Sequence, residues 1–258
     1  MKLVILAGGR GSRLTEETLL RPKPLVEIGN KPIIWHIMKI YSHFGIKDFI
    51  ICLGYKGYLI KEYFADYFLH NSDLTIDLKR NKILVNSKKG EDWKVTLVDT
   101  GVETLTGGRI LRIKNYIKND FLLTYGDGLA NVDIKKLINF HKKNKKLVTV
   151  TAVQPQGRFG LLKINKKNLV TSFQEKIKGD NNWINGGFFV LKPKIFDFLE
   201  NDKTVWEKKP LEIITSKNQL VSYKHNDFWY AMDTIRDKEH LDFLWNNNSA
   251  PWKLWNDK

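Results

Sequence analysis

Leu3-Val4-Ile5-Leu6-Ala7-Gly8-Gly9-Arg10-Gly11-Ser12-Arg13-Leu14 is the stretch on which the reading of this chain turns. Four apolar residues in a row make a short buried strand, and the strand runs straight into Gly8, Gly9 and Gly11. Glycines at that point let the backbone approach a ligand closely with its N–H groups free to point at it. Arg13 adds a planar fork suited to phosphate oxygens. Lys23 follows, its backbone stiffened by Pro22 and Pro24. The ending Gly-Lys-Ser/Thr of a Walker loop is missing, and Leu14 stands where a dinucleotide fingerprint needs glycine. A plain tight turn is the bland alternative. With Arg13 and Lys23 alongside, an anion cradle for a polyphosphate is the better reading.

Outward from the cradle, short apolar runs alternate with segments of helical period. Strands are expected at Phe49–Leu53, Val95–Val98, Phe121–Tyr125 and Val148–Val153. Helices are expected from Pro32, over Tyr58–Phe68, over Gly107–Ile117 and over Ile134–His141. This alternation predicts an open α/β sheet, mixed but mostly parallel, with helices on both faces. From about residue 159 the strands shorten to Gly160–Ile164, Val170–Glu175 and Gly186–Leu191. They suggest an antiparallel extension over one end of the sheet, closed by helices at Lys194–Glu200, Pro210–Lys217 and Arg236–Trp245. With no Pro/Gly/Ser-rich linker and no internal repeat, residues 1–258 read as one domain. The aromatic tail Pro251-Trp252-Lys253-Leu254-Trp255 should dock on its own subunit or on a neighbour.

Two aspartates are candidate metal ligands. Asp127, between Gly126 and Gly128, closes the apolar strand Phe121–Tyr125, and in an open α/β sheet ligands bind beyond such carboxyl ends. Asp233 ends Trp229-Tyr230-Ala231-Met232 in the same manner, or else caps the helix that follows. Magnesium takes oxygen ligands, commonly one or two carboxylates plus substrate phosphates, which this pair fits. The six histidines have no HExxH spacing, and no Gly-x-Ser-x-Gly elbow is present, so zinc hydrolysis and triad chemistry lack support.

Hydrophobic residues make up 42% of the chain, enough to exclude disorder. Lys and Arg total 43 against 28 Asp and Glu, a net charge of +15 that favours anionic partners. The lysines are scattered in pairs among asparagines, as in Lys142-Lys143-Asn144-Lys145-Lys146, and read as solvated surface. A nucleic-acid-binding protein, which would cluster them with aromatics, is therefore the weaker alternative. Cys52 is the single cysteine and sits in an apolar run, which excludes an intrachain disulfide and points to an inert buried thiol. The N-terminal apolar run is too short for a signal peptide, and no run approaches the ~20 residues of a membrane span. A soluble cytoplasmic protein with no membrane partner is expected.

Together, Leu6–Leu14, Arg21-Pro22-Lys23-Pro24, Gly54-Tyr55-Lys56-Gly57, Thr106-Gly107-Gly108-Arg109, Thr124-Tyr125-Gly126-Asp127-Gly128, Phe173-Gln174-Glu175-Lys176, Asn185-Gly186-Gly187 and Met232-Asp233-Thr234 resemble the sugar-nucleotide pyrophosphorylase family over essentially the whole chain. Within it they are most similar to members that use CTP and glucose 1-phosphate. The resemblance implies a Rossmann-like sheet with a small antiparallel sugar-binding extension, a nucleotide-binding half (1–155) and a sugar-phosphate-binding half (156–258). It implies that Leu6, Ala7, Gly8, Gly9, Arg10, Gly11, Ser12, Arg13, Lys23, Thr104, Arg109 and Gly126 line the nucleotide side. Arg13 and Lys23 would neutralise charge at the reacting phosphates. Asp127 and Asp233 would bind Mg2+, Lys176 would grip the sugar phosphate, and Glu175, Asn185 and Gly186 would meet sugar hydroxyls. A homo-oligomer that makes CDP-glucose for surface polysaccharide such as O-antigen is the implied setting. Two departures stand out: Ser12 replaces the usual threonine, and Ile177 replaces a proline.

Overall fold

A computed structural model describes residues 1–12, 14–86, 90–155, 161–166, 168–174 and 182–256. Seven strands form the central sheet: β1 (Lys2–Leu6), β2 (Asp48–Leu53), β3 (Lys94–Asp99), β4 (Phe121–Tyr125), β5 (Val148–Val153), β6 (Ile184–Leu191) and β7 (Leu220–His225). Their spatial order is β7-β5-β6-β4-β1-β2-β3. All pairings are parallel except the two made by β6, which runs against β4 and β5. The sheet is thus mixed and mostly parallel, as the sequence leads one to expect.

Why these strands are apolar without alternation is plain from where successive residues go. Leu3, Ile5, Phe49, Ile51, Leu122, Phe188 and Val190 bury into a first core. Val4, Leu6, Ile50, Cys52, Leu123, Phe189 and Leu191 bury into a second one on the opposite face. Helices Ile33–His43, Ile134–Asn144 and Ile235–Asn246 cover the first face. Thr106–Arg112, Lys209–Ser216 and the 3-10 segment Pro193–Phe198 cover the second. A strand covered on both sides must be continuously hydrophobic.

Some expectations are corrected. Gly186–Leu191 belongs to the central sheet as β6, because Phe188/Val190 and Phe189/Leu191 are needed in both cores; only Leu161–Ile164 and Val170–Gln174 form the separate antiparallel ribbon. β7 was not foreseen; it pairs in parallel with β5 at the sheet edge, where its side chains are only partly buried. The helix expected over Tyr58–Phe68 divides at Asp66 into Gly57–Ala65 and Tyr67–His70. The one expected to reach Ile117 ends at Arg112 and gives way to a 3-10 turn. Gly160 and Glu175, at the ends of two expected strands, lie outside the described residues.

The aromatic tail docks on its own subunit. Trp252 is fully buried and Trp255 nearly so; both pack beside His36 and Trp245, and Trp255 also meets Trp35 edge-on. His36 Nε2 lies 2.8 Å from the Ile28 carbonyl, and Trp252 Nε1–H donates to His36 Nδ1 at 3.4 Å, which fixes the neutral Nε2–H tautomer. Cys52 is fully buried, and burial pushes its thiol up to about 12, so it stays protonated and inert.

Candidate active site

Strand order places the site. After β1 the chain lays β2 and β3 successively to one side, then returns to lay β4 against the other side of β1. That reversal opens a crevice at the carboxyl ends of β1 and β4. The β1 end leads into the glycine loop, the β4 end into Gly126-Asp127. A cleft of about 620 Å3 occupies the crevice.

The glycine loop is held by what lies behind it. Gly11 has φ +65°, and its carbonyl accepts from Leu14 N at 2.9 Å and from the Thr18 hydroxyl at 3.2 Å. The Gly8 carbonyl accepts from Tyr55 N and from Arg109 Nη2, both at 3.0 Å. Arg109 is buried and heavily committed: its guanidinium also donates to the carbonyls of Leu53, Gly101 and Val102 and to the Thr100 hydroxyl. It braces the loop from the side of β2. A Cβ on Gly8 would overlap that guanidinium, which explains a glycine there.

On the other wall the two aspartates meet. Gly128–Ala130 pairs antiparallel with Trp229–Ala231, and Met232 N donates to the Asp127 carbonyl at 2.9 Å, so residues 127 and 233 come side by side. Thr234, not Asp233, caps helix Ile235–Asn246: its hydroxyl accepts from Asp237 N while Asp237 accepts from Thr234 N, a capping box. The Asp233 carboxylate is left to turn into the cleft. Lys23, from the 3-10 turn Lys23–Leu25, places Nζ 2.8 Å from Asp127 Oδ2 and 2.8 Å from Asp233 Oδ1. Three charges from positions 23, 127 and 233 thus share one point, with the lysine side chain 10% exposed.

Most residues expected at the site line this cleft: Leu6, Ala7, Gly8, Gly9, Gly11, Ser12, Lys23, Thr104, Arg109, Gly126, Asp127, Asn185, Gly186 and Asp233. Arg10 stands outside the lining and pairs with Glu103 on the surface. Arg13, Glu175 and Lys176 lie outside the described residues, as does Ile177. The sequence reading assigned no role to Thr106, Tyr125, Glu207 or Trp229, which also line it. Tyr125 stood in a quoted motif and could have been weighed. Glu207 sits in Trp206-Glu207-Lys208-Lys209 and carries no local signal beyond charge. Burial, then the nearby Glu207 charge, raises the Tyr125 phenol well above its ordinary range, so it remains a donor.

Among the described residues no group of three or more His, Cys, Asp and Glu side chains could hold a metal. The two aspartates could supply only part of a divalent ion's oxygen shell, and water or substrate phosphates would complete it. No described helix is long and apolar enough to cross a membrane.

Comparison with known proteins agrees with this geometry. A family model described as nucleotidyl transferase matches residues 2–257. The glucose-1-phosphate cytidylyltransferase of Salmonella typhimurium is 57% identical over 257 residues, covering 99% of this chain and all of that protein. A probable glucose-1-phosphate cytidylyltransferase of Bacillus subtilis is 46% identical over the same share of each. The crystal structure of HddC from Yersinia pseudotuberculosis superposes with a TM-score of 0.69 at 25% identity, covering 95% of this chain and 99% of that one.

Proposed function

The chain belongs to the nucleotidyl transferase family, and on that premise we propose that it transfers the cytidylyl group of CTP to glucose 1-phosphate, giving CDP-glucose and pyrophosphate. The observation that carries the chemistry is the meeting of Asp127 and Asp233 on Lys23 beside the glycine loop. Likeness to cytidylyltransferases along the whole chain supports the choice of CTP and glucose 1-phosphate.

In the reaction a phosphate oxygen of glucose 1-phosphate attacks the α-phosphorus of CTP in line. The new P–O bond forms as the bond to the β-phosphate bridging oxygen breaks, and pyrophosphate carries off the electron pair. The nucleophile is already an anion, so no general base is required. The barrier is the approach of two polyanions, and it falls by positioning and charge neutralisation. Backbone N–H groups of Gly8 to Ser12 would cradle the leaving phosphates, with Arg13 beside them. Asp127 and Asp233 fit Mg2+: their donors are hard oxygens, and both carboxylates lie within reach of one small cation. When bound, Mg2+ supplies Lewis-acid neutralisation across the two reacting phosphates. Lys23 would then exchange its carboxylate partners for phosphate oxygens. Asn185 and Gly186, which line the cleft, would meet the sugar, along with Glu175 and Lys176.

We assign the reaction to the cytoplasm and its product to surface-polysaccharide synthesis, readings that rest on the family resemblance. Exposed Ile76, Leu78, Ile83 and Leu84 on the hairpin Leu74–Asp77/Lys82–Val85 favour a homo-oligomer. Pyrophosphate release from glucose 1-phosphate with each ribonucleoside triphosphate and with dTTP tests the substrate pair; CTP should be preferred. Asp127→Asn should lose turnover while keeping a wild-type melting curve. Near-normal release by that variant would refute the assignment of the metal ligands.

A further inference from the structure

Glu207 is an anion in a cleft that must accept polyanions. Facing a phosphate it would repel it, so its place is opposite a neutral hydrogen-bond donor. The surrounding bonds run in one direction. Asn185 Nδ2 donates to the Tyr125 hydroxyl at 3.1 Å, and that hydroxyl donates to Glu207 Oε1 at 2.6 Å. From the other side, Trp206 N donates to the Thr106 hydroxyl at 2.9 Å, which donates to Glu207 Oε2 at 2.6 Å. Both chains end on the carboxylate, each of whose oxygens accepts one bond among the described residues. A carboxylate has about four acceptor positions, so roughly two remain, one on each oxygen, and Glu207 lines the cleft.

We propose that Glu207 is a substrate-binding residue that accepts two hydrogen bonds from a vicinal diol. The inference rests on the nucleotidyl transfer proposed above. Two paired acceptors held rigid by Tyr125 and Thr106 match two neighbouring hydroxyls, and both substrates carry such a pair. One source is the ribose of CTP. The other is the pyranose of glucose 1-phosphate. Glu207 stands between them: through Tyr125 it touches Asn185 on the sugar side, and through Thr106 it adjoins Thr104 and Leu105 on the nucleoside side.

The test is steady-state kinetics on wild type, Glu207→Gln and Glu207→Asp. One series uses CTP, 2′-deoxy-CTP and 3′-deoxy-CTP; the other uses glucose 1-phosphate and its 2-, 3- and 4-deoxy analogues. Wild type should discriminate against the analogue lacking a contacted hydroxyl by roughly 10- to 100-fold in kcat/KM, the usual effect of a hydrogen bond to a charged group. Glu207→Gln should lower kcat/KM for the complete substrate while leaving that analogue nearly unchanged, so discrimination collapses. Collapse in the first series identifies ribose, and collapse in the second identifies the sugar. Glu207→Asp keeps the charge but withdraws it by one methylene, and should show the same collapse if Gln impairs folding. The proposal is overturned if discrimination survives in both series, or if parent and deoxy substrates lose the same factor. Calorimetric binding of CTP, glucose 1-phosphate and their deoxy analogues reads the contact without turnover. A wild type that binds both yet releases no pyrophosphate would count against the reaction, not against Glu207.

Discussion

Replacing Lys23 by methionine separates the electrostatic role of this residue from its bulk. In the structure its ammonium lies 2.8 Å from one oxygen of each aspartate, so those oxygens are at most about 5.6 Å apart. Without the ammonium, two like charges at that distance repel by about 3 kcal/mol at an effective dielectric near 20. Asp127 is 29% exposed at its side chain, so solvent trims this figure. For a chain of this size about 3 kcal/mol lowers the melting temperature by roughly 6–12 °C. A divalent cation would then take the lysine's place: at a hundred times its dissociation constant it restores about 2.7 kcal/mol.

In wild type the same cation must first displace the ammonium, so its stabilising effect is smaller. The assay is a thermal melt of both proteins in EDTA and across a Mg2+ titration, without nucleotide. Lys23→Met should melt clearly lower in EDTA and gain more from Mg2+ than wild type does. Equal Mg2+ shifts in the two proteins, or equal melting in EDTA, would show that the lysine does not hold the aspartates together.

Two further outcomes follow from the framework around the site. Burial lowers the His36 imidazole to about 4 from an ordinary 6.5. Between those values the unfolded chain binds a proton that the folded one refuses. Its contribution is complete above pH 6.5 and declines by up to about 3 kcal/mol as pH falls toward 4. Urea midpoints across that window should show the decline, and His36→Gln should flatten it; an equal slope in the variant would exclude His36 as the cause. Gly8→Ala would drive a methyl group into the Arg109 guanidinium. It should cost about 2 kcal/mol in stability and raise KM for CTP several-fold, and wild-type values in both melting and kinetics would contradict the bracing role given to Arg109.

How much of this was legible in the sequence depends on how local the information is. The glycine loop and Asp127 could be read because each is a strand end followed by glycine, a pattern confined to a few residues. The place of β6 could not: its antiparallel direction was expected, but its own residues do not tell that it lies inside the central sheet between β4 and β5, because that depends on distant partners. The local pattern places Asp233 only at a strand end, and its convergence with Asp127 was expected from their joint fit to one cation and from the family resemblance. Their meeting depends on the pairing of Gly128–Ala130 with Trp229–Ala231, about a hundred residues away. Glu207 was hidden altogether. Its partners Tyr125 and Thr106 come from distant segments, and its neighbours Lys208 and Lys209 make it look like solvated surface.

The arrangement also explains why a chain with net charge +15 keeps carboxylates at the centre of a site for anions. Asp127, Asp233 and Lys23 together carry one net negative charge, which disfavours a triphosphate entering alone. On the proposed function, a divalent cation held by the aspartates would change that local charge to one net positive and would leave the Lys23 ammonium to the phosphates. Nucleotide and cation would therefore favour each other at the site, and an incoming sugar phosphate would meet a neutralised centre once both are in place. Glu207, which also lines the cleft and is held through Tyr125 and Thr106, would oppose any phosphate that strays toward it. The negative groups thus do not merely offset the surrounding lysines; they restrict where along the cleft a phosphate can rest.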